Sequence, residues 1–420
     1  MRVPPQIQAL LIEMPAKPKV ILIFRLPSEN FGGVEKQILT IASWLRSAAS
    51  AEPVLATSDG ASLLAEAFRG LGLTVETLGQ RGTPALEMAR RLRAIAYRRN
   101  AVCIQSHHFR ESVVGSAARL QVRQVRHIFR VHTYIDCSWI PQWKKWSYHA
   151  LARLAECGVD HYLPITRAAE RELLKSSLIR RDKITVVPDG VPQLGPADGP
   201  EPGNGPLPAR VAMVANLTRH KGHDVLIRGL AALKRRGIIV RARLVGGEAA
   251  AATRQSGHGC PSPASPEQAN ARTRGAIDSS SFAAELKRAS ERLGVADQIE
   301  FYGFTRDVYS AVKEYPVVVL PSDSEGMPNC ILEAMSLRKI VVASSVGGVP
   351  EFIKHGDNGF LHPAQDHEAF ALALVPLFTM PAAHWEPLRD RALSTWKANF
   401  SVEAMVSGLR TVYQRMGVVA

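Results

Sequence analysis

The stretch Val317-Val-Val-Leu-Pro-Ser-Asp-Ser-Glu325-Gly-Met-Pro-Asn-Cys-Ile-Leu-Glu333-Ala-Met335 passes from a continuous apolar run into a helical pattern. The apolar run predicts a buried strand, and Pro328 suits the first turn of the helix that follows it. Glu325 then lies in the loop at the carboxyl end of the strand, and Glu333 lies about one turn inside the helix. The free N–H groups at the start of that helix form a site for an anion.

These groups together predict a pocket for a sugar nucleotide. Each carboxylate can bind a pair of hydroxyls, and the N–H groups between them suit phosphate. Glutamates eight positions apart also occur by chance on solvated helices. The surrounding Ser324-Glu-Gly-Met-Pro328 favours the pocket over that alternative.

Short apolar segments alternate with helical segments along the chain, which predicts an α/β fold with parallel sheets covered on both faces. A helix is expected after Gly32-Gly33, because Ile38, Leu39, Ala42 and Leu45 recur at helical spacing. The predicted strands are residues 19–24, 53–57, 73–78, 101–105, 127–132, 160–164 and 183–187, then 209–215, 239–245, 298–302, 315–320, 340–343 and 358–361.

The length predicts more than one domain, because 420 residues are too many for one core of typical size. Residues 193–208 are dense in Gly and Pro, which indicates a linker. Residues 248–281 carry much Ala, Ser, Gly and Pro with little periodicity, which predicts a disordered insertion on the rim of the second domain. The predicted units are a first domain at 1–190, a linker at 191–208, a second domain at 209–382 and C-terminal helices at 383–420.

The cysteines are scattered, odd in number and without C-x-x-C spacing, which predicts reduced thiols in a cytosolic setting. A metal site assembled in space stays open at this point. The first apolar run is too short for a signal peptide, and no run approaches the length that spans a bilayer. We therefore expect a cytoplasmic protein. The cysteines are Cys103, Cys137, Cys157, Cys260 and Cys330.

The chain is basic, with 52 Lys and Arg against 38 Asp and Glu. Eleven arginines lie from Arg81 to Arg130, where the acidic residues are Glu87 and Glu111, so this half should attract phosphate-bearing partners. The following Trp139-Ile-Pro-Gln-Trp-Lys-Lys-Trp146 interleaves indoles with lysines, which suits the headgroups of an anionic membrane. Alternatively, the tryptophans pack in the first domain and the arginines form a solvated surface.

Four further motifs complete a family resemblance. They are Phe31-Gly32-Gly33-Val-Glu35, Arg130-Val-His132, Ala215-Asn-Leu-Thr-Arg-His-Lys221-Gly222 and Gly347-Gly-Val-Pro-Glu351. With the segment around Glu325 and Glu333, the chain resembles the retaining glycosyltransferases of family 4, also called glycosyltransferase group 1. The resemblance implies the GT-B architecture, in which two Rossmann-like domains with parallel sheets face each other and a C-terminal helix crosses back to the first domain.

The resemblance also implies roles for individual residues. Glu325 would hold hydroxyls of the donor sugar, Glu333 would hold the ribose of the nucleotide, and His132 would lie near the transferred sugar. Lys221, after a strand and before a helix, would stabilise the leaving diphosphate. The expected catalytic residues are Glu325, His132 and Lys221, and the expected donor-binding residues are Gly32, Gly33, Arg219, Gly303, Phe304, Gly326, Met327, Asn329, Cys330 and Glu333. His107 is expected to be structural or to lie on the acceptor side.

The chain departs from the family pattern at Asn216, where most members carry an arginine that binds the diphosphate. Arg219 is the nearest candidate replacement. Alternatively, Lys221 and the helix terminus suffice, and Arg219 points to solvent.

Several histidines and acidic residues imitate metal-binding patterns, namely His107-His108, His220-x-x-His223 and Asp323-x-Glu325. No neighbouring carboxylate or cysteine completes a ligand set for the histidines. The helix terminus and Lys221 already neutralise a diphosphate, so we predict no metal and no cofactor. Without the resemblance, a lone histidine such as His132 would more often be a satisfied core residue.

The implied function is retaining transfer of a sugar from a UDP- or GDP-type donor to a glycan or lipid-linked acceptor. The acceptor would belong to cell-envelope or extracellular polysaccharide biosynthesis at the inner face of the cytoplasmic membrane. No residue stands out as a covalent nucleophile, so the departing phosphate is the expected base. Two other functions stay open: a nucleotide-sugar 2-epimerase of the same fold, and a basic nucleic-acid-binding protein, for which interleaved aromatic platforms are missing. We expect no nucleic-acid partner.

Overall fold

The computed structural model describes most of the chain in twelve parts. These are residues 19–26, 32–48, 51–80, 82–120, 122, 124–132, 153, 155–176, 179–196, 205–248, 281–305 and 307–419. The indole and lysine segment at 139–146, Cys137, Cys260 and nearly all of the predicted insertion (249–280) lie outside these parts.

The first domain is built on a sheet of six described parallel strands. They are β1 (Lys19–Phe24), β2 (Ala51–Thr57), β3 (Thr74–Thr77), β4 (Ala101–Ser106), β5 (Arg126–Val131) and β6 (His161–Pro164). Their order across the sheet is β3-β2-β1-β4-β5-β6. The centre of β1 is apolar without alternation, because helices cover both faces of the sheet and bury Ile21, Leu22 and Ile23 completely.

Five described helices accompany this sheet. They are α1 (Gly33–Ala48), α2 (Leu63–Gly70), α3 (Ala85–Arg98), α4 (Phe109–Arg119) and α5 (Arg167–Leu173). The helical spacing predicted after Gly33 agrees with α1, whose Ile38, Ala42 and Leu45 are fully buried against the sheet.

The second domain repeats the architecture with six further described parallel strands. They are β7 (Arg210–Val214), β8 (Arg241–Val245), β9 (Ile299–Gly303), β10 (Val317–Leu320), β11 (Ile340–Ser344) and β12 (Phe360–His362). Their order is β12-β11-β10-β7-β8-β9, which is the same winding as in the first sheet. The two sheets are therefore architectural repeats, although the sequence shows no internal repeat.

Eight described helices follow β7. They are α6 (His223–Arg235), α7 (Phe282–Arg292), α8 (Val308–Val312), α9 (Asn329–Ser336), α10 (Val349–Phe352), α11 (His367–Thr379), α12 (Glu386–Asn399) and α13 (Val402–Arg415). The quoted segment that begins at Val317 thus forms β10, a loop and α9, as predicted.

The two C-terminal helices belong to different domains. Trp396 of α12 packs in the core of the second domain, whereas Leu409 and Tyr413 of α13 pack in the core of the first, where Tyr413 contacts Trp44 with ring centroids 5.8 Å apart. The helix that the resemblance expects to cross back to the first domain is therefore α13, whereas α12 packs on the second domain. The chain crosses between the domains near Phe400, whose carbonyl accepts the N–H of Val191 at 2.9 Å.

The prediction of a strand at 183–187 is wrong. This segment runs beside β6 and donates two backbone hydrogen bonds to it, Thr185 N to Tyr162 O at 3.1 Å and Val187 N to Pro164 O at 3.0 Å, but it forms a single bridge, between Tyr162 and Ile184. The next bridge would need an N–H at Pro164, which proline lacks.

Candidate functional site

The predicted site residues collect at the carboxyl ends of both sheets. In open parallel sheets the ligand crevice lies outside these ends, where the strand order reverses. That point lies between β1 and β4 in the first sheet and between β7 and β10 in the second. A cleft of about 810 Å³ separates the domains there, with Gly32 and His132 on one side and Lys221 and Glu325 on the other.

The loop that carries Glu325 is fixed by the glycines after β11. Gly348 N–H donates to the carbonyl of Glu325 at 3.3 Å. Gly347 has φ +53°, and a Cβ at this position would lie 1.7 Å from the same carbonyl oxygen. Only glycine fits at Gly347, so this part of the motif fixes the loop that positions Glu325.

Lys221 reaches the cleft from the loop after β7. It ends a short 3₁₀ turn, Arg219–Lys221, and Gly222 follows with φ +74°. The Lys221 Nζ donates to Glu325 Oε1 at 2.7 Å, with the two side chains 23% and 8% exposed. The ammonium and the carboxylate therefore form a partly buried pair at the mouth of the second domain, with exposed surface left on the lysine for an anion.

The start of α9 contributes backbone donors. Pro328 occupies its N-cap position and carries no group that can cap the helix, so the N–H groups of Asn329 and Cys330 face the cleft that these residues line. The side chain of Asn329 donates from Nδ2 to the carbonyl of Gly33 at 3.3 Å. The starts of α9 and α1, one from each domain, thus meet across the cleft and direct the positive ends of two helix dipoles to it.

The glycine turn before α1 is closed by Glu35. Its Oε2 accepts the N–H of Gly32 at 3.0 Å, and its Oε1 accepts from Arg25 Nη2 at 2.8 Å. Arg25 also donates to Glu111 Oε1 at 2.9 Å. This buried network explains the acidic residue that ends the Phe31-Gly-Gly-Val-Glu35 motif, since it satisfies an N–H at the start of the helix.

Glu333 is held from the opposite domain. Lys36 Nζ of α1 donates to Glu333 Oε1 at 2.8 Å, and the carboxylate side chain is 6% exposed. The nucleotide-binding glutamate expected from the resemblance therefore has a cation of the first domain as its partner.

His132 forms part of a buried polar cluster. Its Nε2 lies 3.0 Å from His107 Nδ1, and its Nδ1 lies 3.6 Å from Asp189 Oδ2. Asp189 Oδ1 accepts from Arg130 Nη2 at 2.7 Å. Burial alone would raise the pKa of Asp189, but Arg130 and His132 outweigh it and hold that pKa below its usual range. Burial, together with His132 and Arg130, lowers the pKa of His107 well below its usual range.

The cleft brings together most of the residues predicted from the sequence. Arg219 does not line it; its exposed guanidinium bonds both carboxylate oxygens of Glu285 at 2.7 and 2.9 Å. His107 is buried behind His132, and Gly303 precedes Phe304 outside the lining. The predicted residues that line the cleft are Gly32, Gly33, His132, Lys221, Phe304, Glu325, Gly326, Met327, Asn329, Cys330 and Glu333.

Burial raises the pKa of the Cys330 thiol to about 12, with Glu325 adding to the shift. This cysteine is therefore a neutral wall of the cleft rather than a nucleophile.

Two residues at the site were missed by the sequence argument, Lys36 and Asp189. Lys36 stands in the first turn of a helix and reads as a solvated lysine, because its partner Glu333 is 297 residues away. Asp189 stands before Gly190 in what reads as a turn. The signal that could have found it is its position just after the predicted strand at 183–187, which runs beside β6 at the edge of the first sheet.

Within the described parts of the chain, no three His, Cys, Asp or Glu side chains lie where they could hold a metal ion together. The predicted metal independence stays a prediction.

Two family models match the chain along most of its length. Residues 205–391 match the glycosyl transferases group 1, and residues 32–190 match the glycosyl transferase 4-like domain. The chain belongs to the group 1 glycosyltransferases. The break between the two matches falls between the two sheets, so each domain of this family member carries its own family signature.

Curated relatives support the assignment over shorter segments. The chain is 36% identical over 138 residues to the lipopolysaccharide core biosynthesis mannosyltransferase LpcC of Rhizobium leguminosarum. The aligned segment covers 32% of this chain and 38% of that protein. It is 25% identical over 266 residues to the putative colanic acid biosynthesis glycosyltransferase WcaL of Escherichia coli, which covers 61% of this chain and 57% of that protein. The chain thus matches less than two thirds of the length of these relatives.

Solved structures confirm the GT-B fold. A glycosyltransferase from Rickettsia africae aligns with a TM-score of 0.73 at 19% identity, over 95% of this chain and 98% of that one. Anabaena Alr3699/HepE in complex with UDP aligns with a TM-score of 0.73 at 18% identity, over 94% of this chain and all of that one. A complex of the same Anabaena protein with UDP-glucose gives the same score and identity.

None of the helices in the described parts of this group 1 family member has the length and apolar character needed to cross a bilayer.

Proposed function

We propose that the protein transfers a sugar from a nucleotide-diphosphate sugar to a hydroxyl of a glycan or lipid-linked acceptor. The observation that carries the proposal is the convergence of Lys221, Glu325, Glu333 and the start of α9 on one cleft between the domains. A diphosphate needs cations and N–H donors, and sugars and ribose need carboxylates that accept from paired hydroxyls. These groups line the second-domain side of one cavity, and the volume of that cavity suits a small-molecule ligand.

The donor is proposed to be a UDP- or GDP-linked sugar. Binding of UDP and of UDP-glucose by the Anabaena protein of the same fold supports a nucleotide sugar. Glu333 would bond the ribose and Glu325 the sugar, in the roles that the family resemblance implies. The exposed Phe304, at the edge of the cleft, offers an aromatic face for the base.

The acceptor is proposed to belong to polysaccharide or lipopolysaccharide biosynthesis, in line with the names of the relatives in Rhizobium and Escherichia. A lipid-linked acceptor would be met at the inner face of the cytoplasmic membrane. The surface of α3 supports such a contact, because Leu86 and Tyr97 are 60% and 83% exposed on a helix that also exposes Arg90 and Arg91.

Metal independence and retention are parts of the proposal. Lys221 and the start of α9 would stabilise the charge of the leaving diphosphate in place of a metal ion. In the retaining reaction the acceptor oxygen bonds the anomeric carbon on the face from which the diphosphate leaves, and a departing phosphate oxygen takes the acceptor proton. Full activity in excess chelator and an unchanged anomeric configuration by proton NMR are the expected results; an inverted product would reject retention.

A thermal-shift screen tests the donor assignment. The ligands are UDP, GDP and a panel of UDP- and GDP-hexoses, and binding to the folded state raises the melting temperature by mass action. We expect at least one nucleotide sugar to stabilise the protein more than its own nucleoside diphosphate does. Glu325→Ala should lose that difference and retain the shift with the nucleoside diphosphate.

The matched control is Glu300→Ala, which removes a half-exposed glutamate that pairs with Arg243 on the second sheet. It should behave as the wild type. Absence of any shift with all ligands in the wild type would contradict the proposed function. Transfer by Glu325→Ala at the wild-type rate would contradict the role of Glu325, and turnover of a nucleotide sugar without acceptor would favour the 2-epimerase.

A further inference from the structure

A continuous chain of buried polar side chains connects the C-terminal helix α13 to the cleft. The Tyr413 hydroxyl donates to Gln105 Oε1. Gln105 Nε2 lies 3.0 Å from His107 Nε2, and His107 Nδ1 lies 3.0 Å from His132 Nε2. His132 Nδ1 then faces Asp189 Oδ2 at 3.6 Å. All five residues are at most 5% exposed, so water competes little for these contacts.

At the cleft end, Asp189 favours one direction of hydrogen bonding in this chain, but its 3.6 Å separation from His132 is too long to fix that direction alone. Asp189 is held ionised by Arg130, so its oxygens only accept. A neutral His132 with its proton on Nδ1 can donate toward Asp189, and its Nε2 then accepts from His107. His107 is neutral because burial lowers its pKa, so its single proton is on Nδ1 and its Nε2 accepts from the Gln105 amide.

The other end of the chain agrees with this direction. When the amide nitrogen of Gln105 donates to His107, the amide oxygen faces Tyr413. That oxygen needs a hydrogen-bond donor. Burial raises the pKa of Tyr413 far above its usual value, so the hydroxyl keeps its proton and donates. A proton on Nε2 of His132 would require every bond upstream to reverse and would leave Gln105 donating to the hydroxyl.

We propose that Tyr413, Gln105 and His107 are positioning residues that hold the proton of His132 on Nδ1, so that His132 and Asp189 together form a binding site for one hydroxyl of the bound sugar. A hydroxyl oxygen about 2.8 Å from both atoms can accept from Nδ1–H and donate to Oδ2. Both side chains line the cleft. The pair distinguishes a hydroxyl from an ether or a deoxy position, because only a hydroxyl can both accept from His132 and donate to Asp189.

This inference rests on the proposed function for the identity of the ligand, whereas the proton positions are properties of the free protein. Gln105 has a specific part, since an amide is the group that can both accept from Tyr413 and donate to His107. Gln105→Glu keeps the shape but can only accept, so it should move the proton of His107 to Nε2 and that of His132 away from Nδ1.

The test is long-range proton–nitrogen NMR of the ligand-free protein labelled at the histidine ring nitrogens, with His107 and His132 assigned by single substitutions. We expect His132 to be protonated on Nδ1 and bare on Nε2 in the wild type, and to lose this state in Gln105→Glu. Tyr413→Phe, which removes one hydroxyl from the far end of the chain, should give a mixture of both tautomers of His132.

The matched control is Tyr162→Phe. Tyr162 is a buried tyrosine of β6 in the first sheet, and its hydroxyl has no hydrogen-bond partner among the described residues. Its removal should leave the histidine spectrum unchanged. A proton on Nε2 of His132 in the wild type would overturn the inference, and so would an unchanged tautomer in both Gln105→Glu and Tyr413→Phe. If the buried carboxylate of Gln105→Glu prevents folding, Tyr413→Phe alone decides.

A binding measurement tests the hydroxyl site. For the nucleotide sugar that binds the wild type most tightly in the panel of UDP- and GDP-hexoses, Gln105→Glu should weaken binding about tenfold and leave the affinity for the nucleoside diphosphate unchanged. An equal loss for both ligands would overturn the hydroxyl site. If no nucleotide sugar binds, the proposed function and the hydroxyl site both fail, and the NMR result still decides the proton chain.

Discussion

Lys36 and Glu333 join the two domains across the mouth of the cleft, with the ammonium nitrogen 2.8 Å from a carboxylate oxygen. The lysine side chain is 43% exposed and the glutamate 6%, so the glutamate depends on this partner more than the lysine does. The contact links the relative position of the domains to the residue expected to bind the ribose.

Lys36→Met should loosen the contact between the domains, because it removes the cation that pairs with Glu333 across the cleft. We expect a larger radius of gyration by small-angle X-ray scattering and an affinity for UDP or GDP about tenfold lower. Lys397→Met, which removes an exposed lysine of α12, is the control with the same charge change. Equal scattering and equal affinity in both variants would show that the pair does not hold the domains together.

Lys221 and Arg219 should contribute unequally to diphosphate binding. Lys221→Met removes a charge-assisted donor in the cleft and should weaken the affinity for nucleoside diphosphate by about ten- to a hundredfold. Arg219→Gln should change it less than about twofold, because the guanidinium is 75% exposed and occupied by Glu285. Titration calorimetry measures both. A loss in Arg219→Gln as large as in Lys221→Met would mean that Arg219 replaces the family arginine at Asn216 after all.

Stability should fall as the pH is lowered from 6.5 toward 4, because several histidines are buried in the neutral form. The pKa of fully buried His127 is lowered to about 4, chiefly by burial, while Ser106 Oγ lies 2.9 Å from its Nε2. The unfolded state then binds more protons than the folded state, so the stabilisation is complete above pH 6.5 and is lost down to about pH 4. Each such histidine contributes up to about 1.4 kcal/mol per pH unit.

Urea denaturation between pH 7 and pH 4.5 measures this slope. His127→Gln should make it shallower by about one proton, whereas His384→Gln, at an exposed position, should leave it unchanged. A slope in His127→Gln equal to that of the wild type would show that His127 is not the neutral buried group described.

The exposed face of α3 should bind anionic membranes. Leu86→Ser with Tyr97→Ser removes the two exposed apolar side chains and keeps the arginines. We expect sedimentation with phosphatidylglycerol vesicles to fall several-fold, while sedimentation with phosphatidylcholine vesicles is low for both proteins. Leu372→Ser, on the second domain with 56% exposure, is the control. Equal binding of the double variant and the wild type would exclude α3 as the contact.

Local patterns were enough to predict most of the architecture. The strand and helix around Glu325 could be predicted because a continuous apolar run, a proline and helical spacing act within a few residues of each other. The same holds for α1 after Gly33. The segment 183–187 has the composition of a strand but forms only one bridge to β6. The reason is a proline in β6, so the sequence of the segment itself could not reveal it.

The position of Arg219 illustrates the same limit at the site. Arg219 stands two residues before Lys221 in a short 3₁₀ turn, whose side chains point in different directions. Its partner Glu285 lies beyond a long segment that the structure does not describe, so no local rule could assign the pair.

The sequence by itself determined the two α/β domains, the family and the residues that line the cleft, because these follow from apolar periodicity and short motifs. Only the tertiary structure decided which of them act together. Glu333 meets Lys36 at a separation of 297 residues, and Gln105 meets Tyr413 at a separation of 308. Such pairs form because α13 crosses back to the first domain and the two sheets face each other. Contacts between residues that are far apart in the sequence leave no periodic pattern in it.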